Sequence, residues 1–205
     1  MDILLLEKEL RKRLAFPYRW HGRQSDKADR MTAFIYRTAN FEQLRQKVAA
    51  LPPEIQHYAY NRWLNFWSAK GVEYLFRQHG NVEAAPDPYN KKVDFTINGI
   101  PFDHKTSVFP KAFPHDLSYA QHHKQELIRW LYEQQSQEGR LHFSNRLFLI
   151  LYNTVQPEHH WKLKAELSFI AEKIAAYLRT FELKNTIRLN FGQGVVFSDI
   201  VWIVK

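Results

Sequence analysis

The sequence contains no cysteine, which excludes disulfides and cysteine-ligated zinc. It has no apolar run near the length of a membrane span. The opening MDILLLEKELRKR holds four consecutive apolar residues before charge begins. That is too short for the apolar region of a signal peptide, so a soluble cytoplasmic protein without membrane contact is expected. Repeats and low-complexity tracts are missing, as are GxSxG, Walker A and Rossmann signatures. The Gly192-Gln193-Gly194 turn leads into a strand-like segment rather than a helix, which makes it a poor phosphate-binding loop. The histidine pairs 122–123 and 159–160 lack the i, i+4 spacing of a helical two-histidine zinc site.

What is present describes a globular chain. Hydrophobic residues make up 45% and aromatics 15% of 205 residues, enough for a sizeable core in one domain. The net charge of +8 favours a polyanionic partner, nucleic acid first.

The apolar periodicity predicts helices over 2–15 and 41–50, with residues 16–40 irregular between them. A long helical pattern over 53–79 opens at Pro53 and closes at Gly80, the expected C-cap. A short strand follows at 81–85. Alternating segments 92–97 and 100–105 flank Asn98-Gly99, a strong hairpin signal. Helical spacing returns over 116–137, and RLFLILYN (146–153) reads as a strand buried on both faces. An amphipathic helix over 158–182 and two strands, 186–191 and 195–204, complete the chain. The expected fold is α/β, a central mixed sheet flanked by helices. Residues 1–52 form a helical extension, and 53–205 an αβββαβ core plus a final helix and strand pair, in one domain.

The hairpin carries the chemistry. A two-residue turn at Asn98-Gly99 places Ile97 opposite Ile100, so paired residue numbers sum to 197. Asp94 then faces Asp103 in a non-hydrogen-bonded pair, with Cβ atoms about 4.5–5.5 Å apart. Facing like charges are destabilising. Lys105 shares their face, but one ammonium does not account for two carboxylates. A divalent cation does: Mg²⁺ takes one or two carboxylates plus water and substrate phosphate, and can activate water and stabilise a leaving oxygen.

Asp94, followed after the hairpin by Asp103-His104-Lys105, resembles the PD-(D/E)XK nuclease superfamily, as does the helix, three-strand, helix, strand order over about 53–153. The resemblance implies a restriction-endonuclease-like fold and Mg²⁺- or Mn²⁺-dependent hydrolysis of DNA. Asp94 and Asp103 would hold the metal together with the backbone carbonyl of His104, and Lys105 would position or activate the water. It also implies an acid on the preceding helix, for which Glu73 is the candidate; paired with Lys70 or Arg77, Glu73 would instead be an ordinary helix-margin carboxylate. The residue before Asp94 is Val93 rather than the family's proline. Restriction enzymes of this family commonly dimerise, so the resemblance admits a homodimer. Two alternatives stand beside this reading: a non-catalytic nucleic-acid-binding protein on the same fold, and an RNA-directed nuclease.

The segment RKRLAFPYRWHGR mixes cations with aromatic rings. Arg11, Arg13, Arg19, Trp20 and Arg23 are candidates for phosphate contacts and base stacking, or equally for a solvated helix end and an anchored loop. Lys111, Gln121 and Lys124, downstream of the hairpin, are further candidate contacts.

Overall fold

The structure, a computed structural model, describes residues 1–20, 26–85, 87, 92–135, 144–192 and 194–205. The chain divides into two compact units: Met1–Tyr74 with Lys162–Ile170, and Leu75–Trp161 with Ala171–Lys205. The expected extension lies in the first unit together with most of the long helix that follows it.

The first unit is helical. Helix α1 (Ile3–Arg13) starts at Asp2, whose carboxylate accepts the Leu5 N–H at 2.9 Å, and ends on Arg11, Lys12 and Arg13. Both ends therefore complement the helix dipole. The stretch expected to be irregular contains α2 (Asp26–Met31) and a 3₁₀ turn, Ala33–Arg37. Helix α3 (Phe41–Ala49) is capped by Asn40. Helix α4 (Pro53–Phe76) carries Tyr58, Ala59, Tyr60 and Asn61 buried in succession. It is thus covered on more than one side, which a single apolar stripe would not require. Its Trp63 and Trp67 indoles donate to the carbonyls of Thr38 and Ile35 at 2.6 and 2.9 Å. At Gly71 the packing is tight enough that a Cβ would lie 2.8 Å from Leu167.

Helix α4 ends four residues before Gly80, and Gly80 does not have the positive φ of a left-handed cap. The last turn tightens instead, with Gln78 and His79 donating to the carbonyls of Leu75 and Phe76.

The second unit holds a six-stranded mixed sheet of order β1-β2-β3-β4-β6-β5. The strands are β1 (Val82–Ala84), β2 (Phe95–Ile97), β3 (Ile100–Val108), β4 (Arg146–Tyr152), β5 (Ile187–Asn190) and β6 (Val195–Val204). β3, β4 and β6 run parallel, and the remaining pairs are antiparallel. β4 is central, and Leu147 to Leu151 are fully buried, as its unbroken apolar run implies. The helical pattern over 116–137 breaks at His123 into α5 (Leu117–His122) and α6 (Lys124–Gln135). Helix α6 packs Leu127, Ile128 and Leu131 against Phe148, Ile150 and Ile200 of the sheet. On the other face Phe181, just past the end of α7 (Leu167–Arg179), meets Phe102 edge to face. The sheet is thus flanked by helices. The helix expected over 158–182 begins only at Leu167; Pro157–Ala165 is 3₁₀, kinked at His159.

Candidate functional site

The hairpin forms in the expected register. Ile97 pairs with Ile100, Thr96 with Pro101 and Phe95 with Phe102. Asn98 and Gly99 both take positive φ, 50° and 78°, as a type I′ turn requires.

One residue further the expectation fails. The Asp94 N–H donates to Phe102 O at 2.9 Å, so Asp94 and Phe95 both oppose Phe102, in the manner of a β-bulge. Asp94 does not face Asp103 squarely. A bulge turns its two residues toward the same side, and the Asp94 carboxylate reaches His104 rather than the opposite face of the ladder. Oδ2 accepts the His104 backbone N–H at 2.8 Å and lies 3.0 Å from His104 Nδ1. The carboxylate requires Nδ1 to carry the proton. Oδ1 accepts no hydrogen bond among the described residues. The His104 ring is buried and stacks on Phe95, which stacks on Phe76.

Asp103 points to the α6 side of the sheet. Lys105 Nζ donates to its Oδ1 at 2.7 Å, and Arg146 Nε lies 3.6 Å from Oδ2. Arg146 opens β4, is 7% exposed, and holds its guanidinium 4.7 Å from the Tyr132 ring centroid. β3 and β4 are in parallel register with Asp103 beside Arg146, which sets this pair on one face. Asn145 fastens the same corner: its carbonyl accepts the Asp103 N–H, its amide donates to Pro101 O, and its Oδ1 accepts the Phe197 N–H.

The two carboxylates are driven in opposite directions. Burial would raise Asp94, but the hydrogen bond and charge of His104, with a smaller contribution from Lys105, hold it below the usual carboxylate range. Asp103 stays above that range: burial raises it and the negative charge of Asp94 adds to this, against the pull of Lys105 and Arg146. Burial, with Asp103 nearby, also pushes the Tyr132 hydroxyl up to about 12. Two interacting acids with diverging affinities for a proton are a pattern of functional sites.

Of the predicted residues, Asp94, Asp103, His104 and Lys105 are gathered on this corner. Glu73 sits in the first unit, on α4 one turn before Phe76, with its carboxylate 2.7 Å from Lys70 Nζ. The proposed nucleic-acid contacts scatter. Arg13 has no exposed surface: it donates to the carbonyls of Phe16 and Pro17 and to Asn61 Oδ1 at 2.7, 3.0 and 2.5 Å, which removes it from phosphate contact. Arg11 is paired with Glu7. Lys124 is tied to the buried Asp199 at 2.5 Å. Arg19, Trp20, Lys111 and Gln121 are exposed. Arg23 lies outside the described residues.

Arg146 was not legible as a site residue. It heads an apolar strand, and its partner is distant in sequence; only the parallel β3–β4 pairing brings the two together. It supplies positive charge beyond the Lys105 ammonium, where the expectation from the two acids was a metal alone. Even so, with Lys105 and Arg146 both beside it, Asp103 remains raised, chiefly because it is buried and secondarily because Asp94 is negative. The donor set of the buried Asp103 carboxylate and the half-buried Asp94 carboxylate, the latter with an unengaged oxygen, suits a hard divalent cation.

Among the described residues no helix is long and apolar enough to cross a membrane. No family model matches the chain, and no curated protein or solved structure matches it well enough to indicate a relative.

Proposed function

We propose that the protein is a Mg²⁺- or Mn²⁺-dependent phosphodiester hydrolase acting on DNA, with its active site at the start of β3. The observation that carries this reading is the meeting of acids and a lysine at the hairpin: the buried Asp103 interacts with a second carboxylate, Asp94, and accepts from Lys105 at 2.7 Å. Asp94 and Asp103 would hold the divalent ion, with the His104 carbonyl as a further ligand. When bound, that ion would activate water and stabilise the leaving oxygen. The chain does the rest. The His104 backbone N–H and ring fix Asp94. Arg146, held against Tyr132, anchors Asp103 so that Lys105, 40% exposed, can leave it and turn to the scissile phosphate or the attacking water.

One observation favours a second reading. Lys105 and Arg146 match Asp94 and Asp103 in formal charge, so the corner can stand without a metal. That suits a non-catalytic nucleic-acid-binding protein, whose binding would fall with salt and ignore chelator. Single-stranded, duplex and branched DNA and RNA, each incubated with Mg²⁺ or with chelator, separate the readings. Cleavage of DNA that needs the metal and is lost in Asp94→Ala and Lys105→Ala, with circular dichroism unchanged, supports the hydrolase. Undiminished cutting by both variants, or binding without cleavage under any metal, rejects it; preferential cutting of RNA reassigns the substrate.

A further inference from the structure

At the carboxyl ends of β3 and β4, opposite the end that carries Asp103, lies a cavity of about 420 Å³. This is within the range of roughly 300–1,000 Å³ typical of small-ligand sites. Carboxyl ends of neighbouring parallel strands are where open α/β sheets take up ligands. Asp103 and Phe109 are six residues apart, about 20 Å along an extended strand, so this is a separate place from the hairpin corner.

Its walls are aromatic: Phe109, Phe113 and Tyr152 line it, with His115 and His160 among them. Phe109 meets both Phe113 and Tyr152 edge to face, and His160 lies over Tyr152 at 4.4 Å. His115 begins a column of stacked rings with Tyr119 and His123, each step 3.9 Å between centroids. The polar groups are few and fixed. His160 Nδ1 accepts the Asn153 N–H at 2.7 Å, so its Nε2–H is the donor left over. Asp116 and Glu158 also line the cavity, and Lys111, exposed, forms no ion pair among the described residues. Among the described residues, no three histidine or carboxylate groups converge there to metal-ligand distance. Asp116 caps the Tyr119 N–H and Glu158 lies 3.4 Å from His159, which speaks against a metal site.

We propose that this cavity binds one nucleotide, its base against the aromatic walls and its phosphate at Lys111. Aromatic faces stack on any base. The carboxylates of Asp116 and Glu158 accept from an exocyclic amine, as aspartate and glutamate do from the N4 amine of cytosine. Bases with an amine are therefore preferred over thymine and uracil. The pocket takes a free nucleotide or an unpaired nucleotide of a strand by the same contacts; only the strand case rests on the nuclease reading.

The test is isothermal titration of the full chain, in chelator, with dCMP, dTMP, inorganic phosphate and a short oligo-dC strand. Chelator, with the Asp94→Asn variant run in parallel, silences the hairpin corner, so success or failure here is independent of catalysis. Saturable dCMP binding is expected, weakened about tenfold in Lys111→Glu, which replaces attraction for phosphate by repulsion. His115→Ala, exposed and outside the core, should weaken it several-fold through lost stacking, and dTMP should bind more weakly than dCMP. Oligo-dC binding with the same Lys111 dependence supports the strand as ligand; dCMP binding without it supports the free nucleotide. No dCMP binding, binding indifferent to both variants, or inorganic phosphate bound as tightly as dCMP would overturn the proposal.

Discussion

Two charged stretches stand out in the sequence, and the fold treats them differently. In residues 11–20 a run of cations lies among aromatic rings, a composition that suits nucleic acid. The fold turns its central arginine inward: Arg13 is wholly buried, burial pulls its pKa down to about 10, and its donors go to two backbone carbonyls and Asn61. In residues 93–105 the acids and the lysine were picked out by position rather than abundance. There the fold gathers them on one corner and buries Asp103, which holds it above the usual carboxylate range. Position relative to a turn constrained geometry, whereas composition alone did not distinguish a binding surface from a buried anchor.

Mutations can break or sharpen that contrast. The largest effect belongs to the hairpin. Lys105→Ala should lower the rate of metal-dependent DNA cleavage by about 10²–10³-fold with little change in melting temperature, the loss typical of removing one preorganised charge-stabilising group. Arg13→Ala should do the reverse. It leaves two carbonyls and Asn61 without a donor and opens a void, so urea unfolding should show a loss of about 2–4 kcal/mol, while cleavage per folded molecule is unchanged.

Next in size comes the pH response of the two acids. Asp94 is held below its ordinary value, so its ionised form stabilises the fold, and that contribution is lost as pH falls through its folded pKa. Asp103 has the opposite sign. Raised above its ordinary value, it costs stability as pH rises through the window between the two, and the cost persists above it. The stability of Asp103→Asn relative to wild type should therefore shift in the variant's favour as pH rises through the carboxylate range, read from denaturant curves at each pH. Asp94→Asn should move the other way. Gly99→Ala, at φ 78°, should cost only about 1 kcal/mol by straining the turn. Arg19→Ala, on an exposed side chain, should stay within about 0.5 kcal/mol.

Much of the sheet was readable because turn chemistry and apolar runs are local signals. Asn98-Gly99 fixed three residue pairs between β2 and β3, and RLFLILYN announced a central strand. The bulge at Asp94 was not readable, because it depends on where the Phe102 carbonyl finds its donors. Nor was the break at His123, since helical apolar spacing continues across it. Leu163 and Leu167 keep helical spacing across the junction between the 3₁₀ segment Pro157–Ala165 and α7, so periodicity alone overextended that helix. Arg146 needed the topology: a residue heading an apolar strand becomes a site residue only once β4 lies parallel beside β3 with Asp103 as its neighbour.

The central claim is that Asp94 and Asp103 together hold a divalent cation. Electron paramagnetic resonance of Mn²⁺ titrated into the wild-type chain and into Asp94→Asn and Asp103→Asn tests it without reference to any substrate. The account predicts saturable Mn²⁺ binding in the wild type, displaced by excess Mg²⁺ and lost in both folded variants. Mn²⁺ binding that is absent from the wild type, or that survives in both variants, would contradict it.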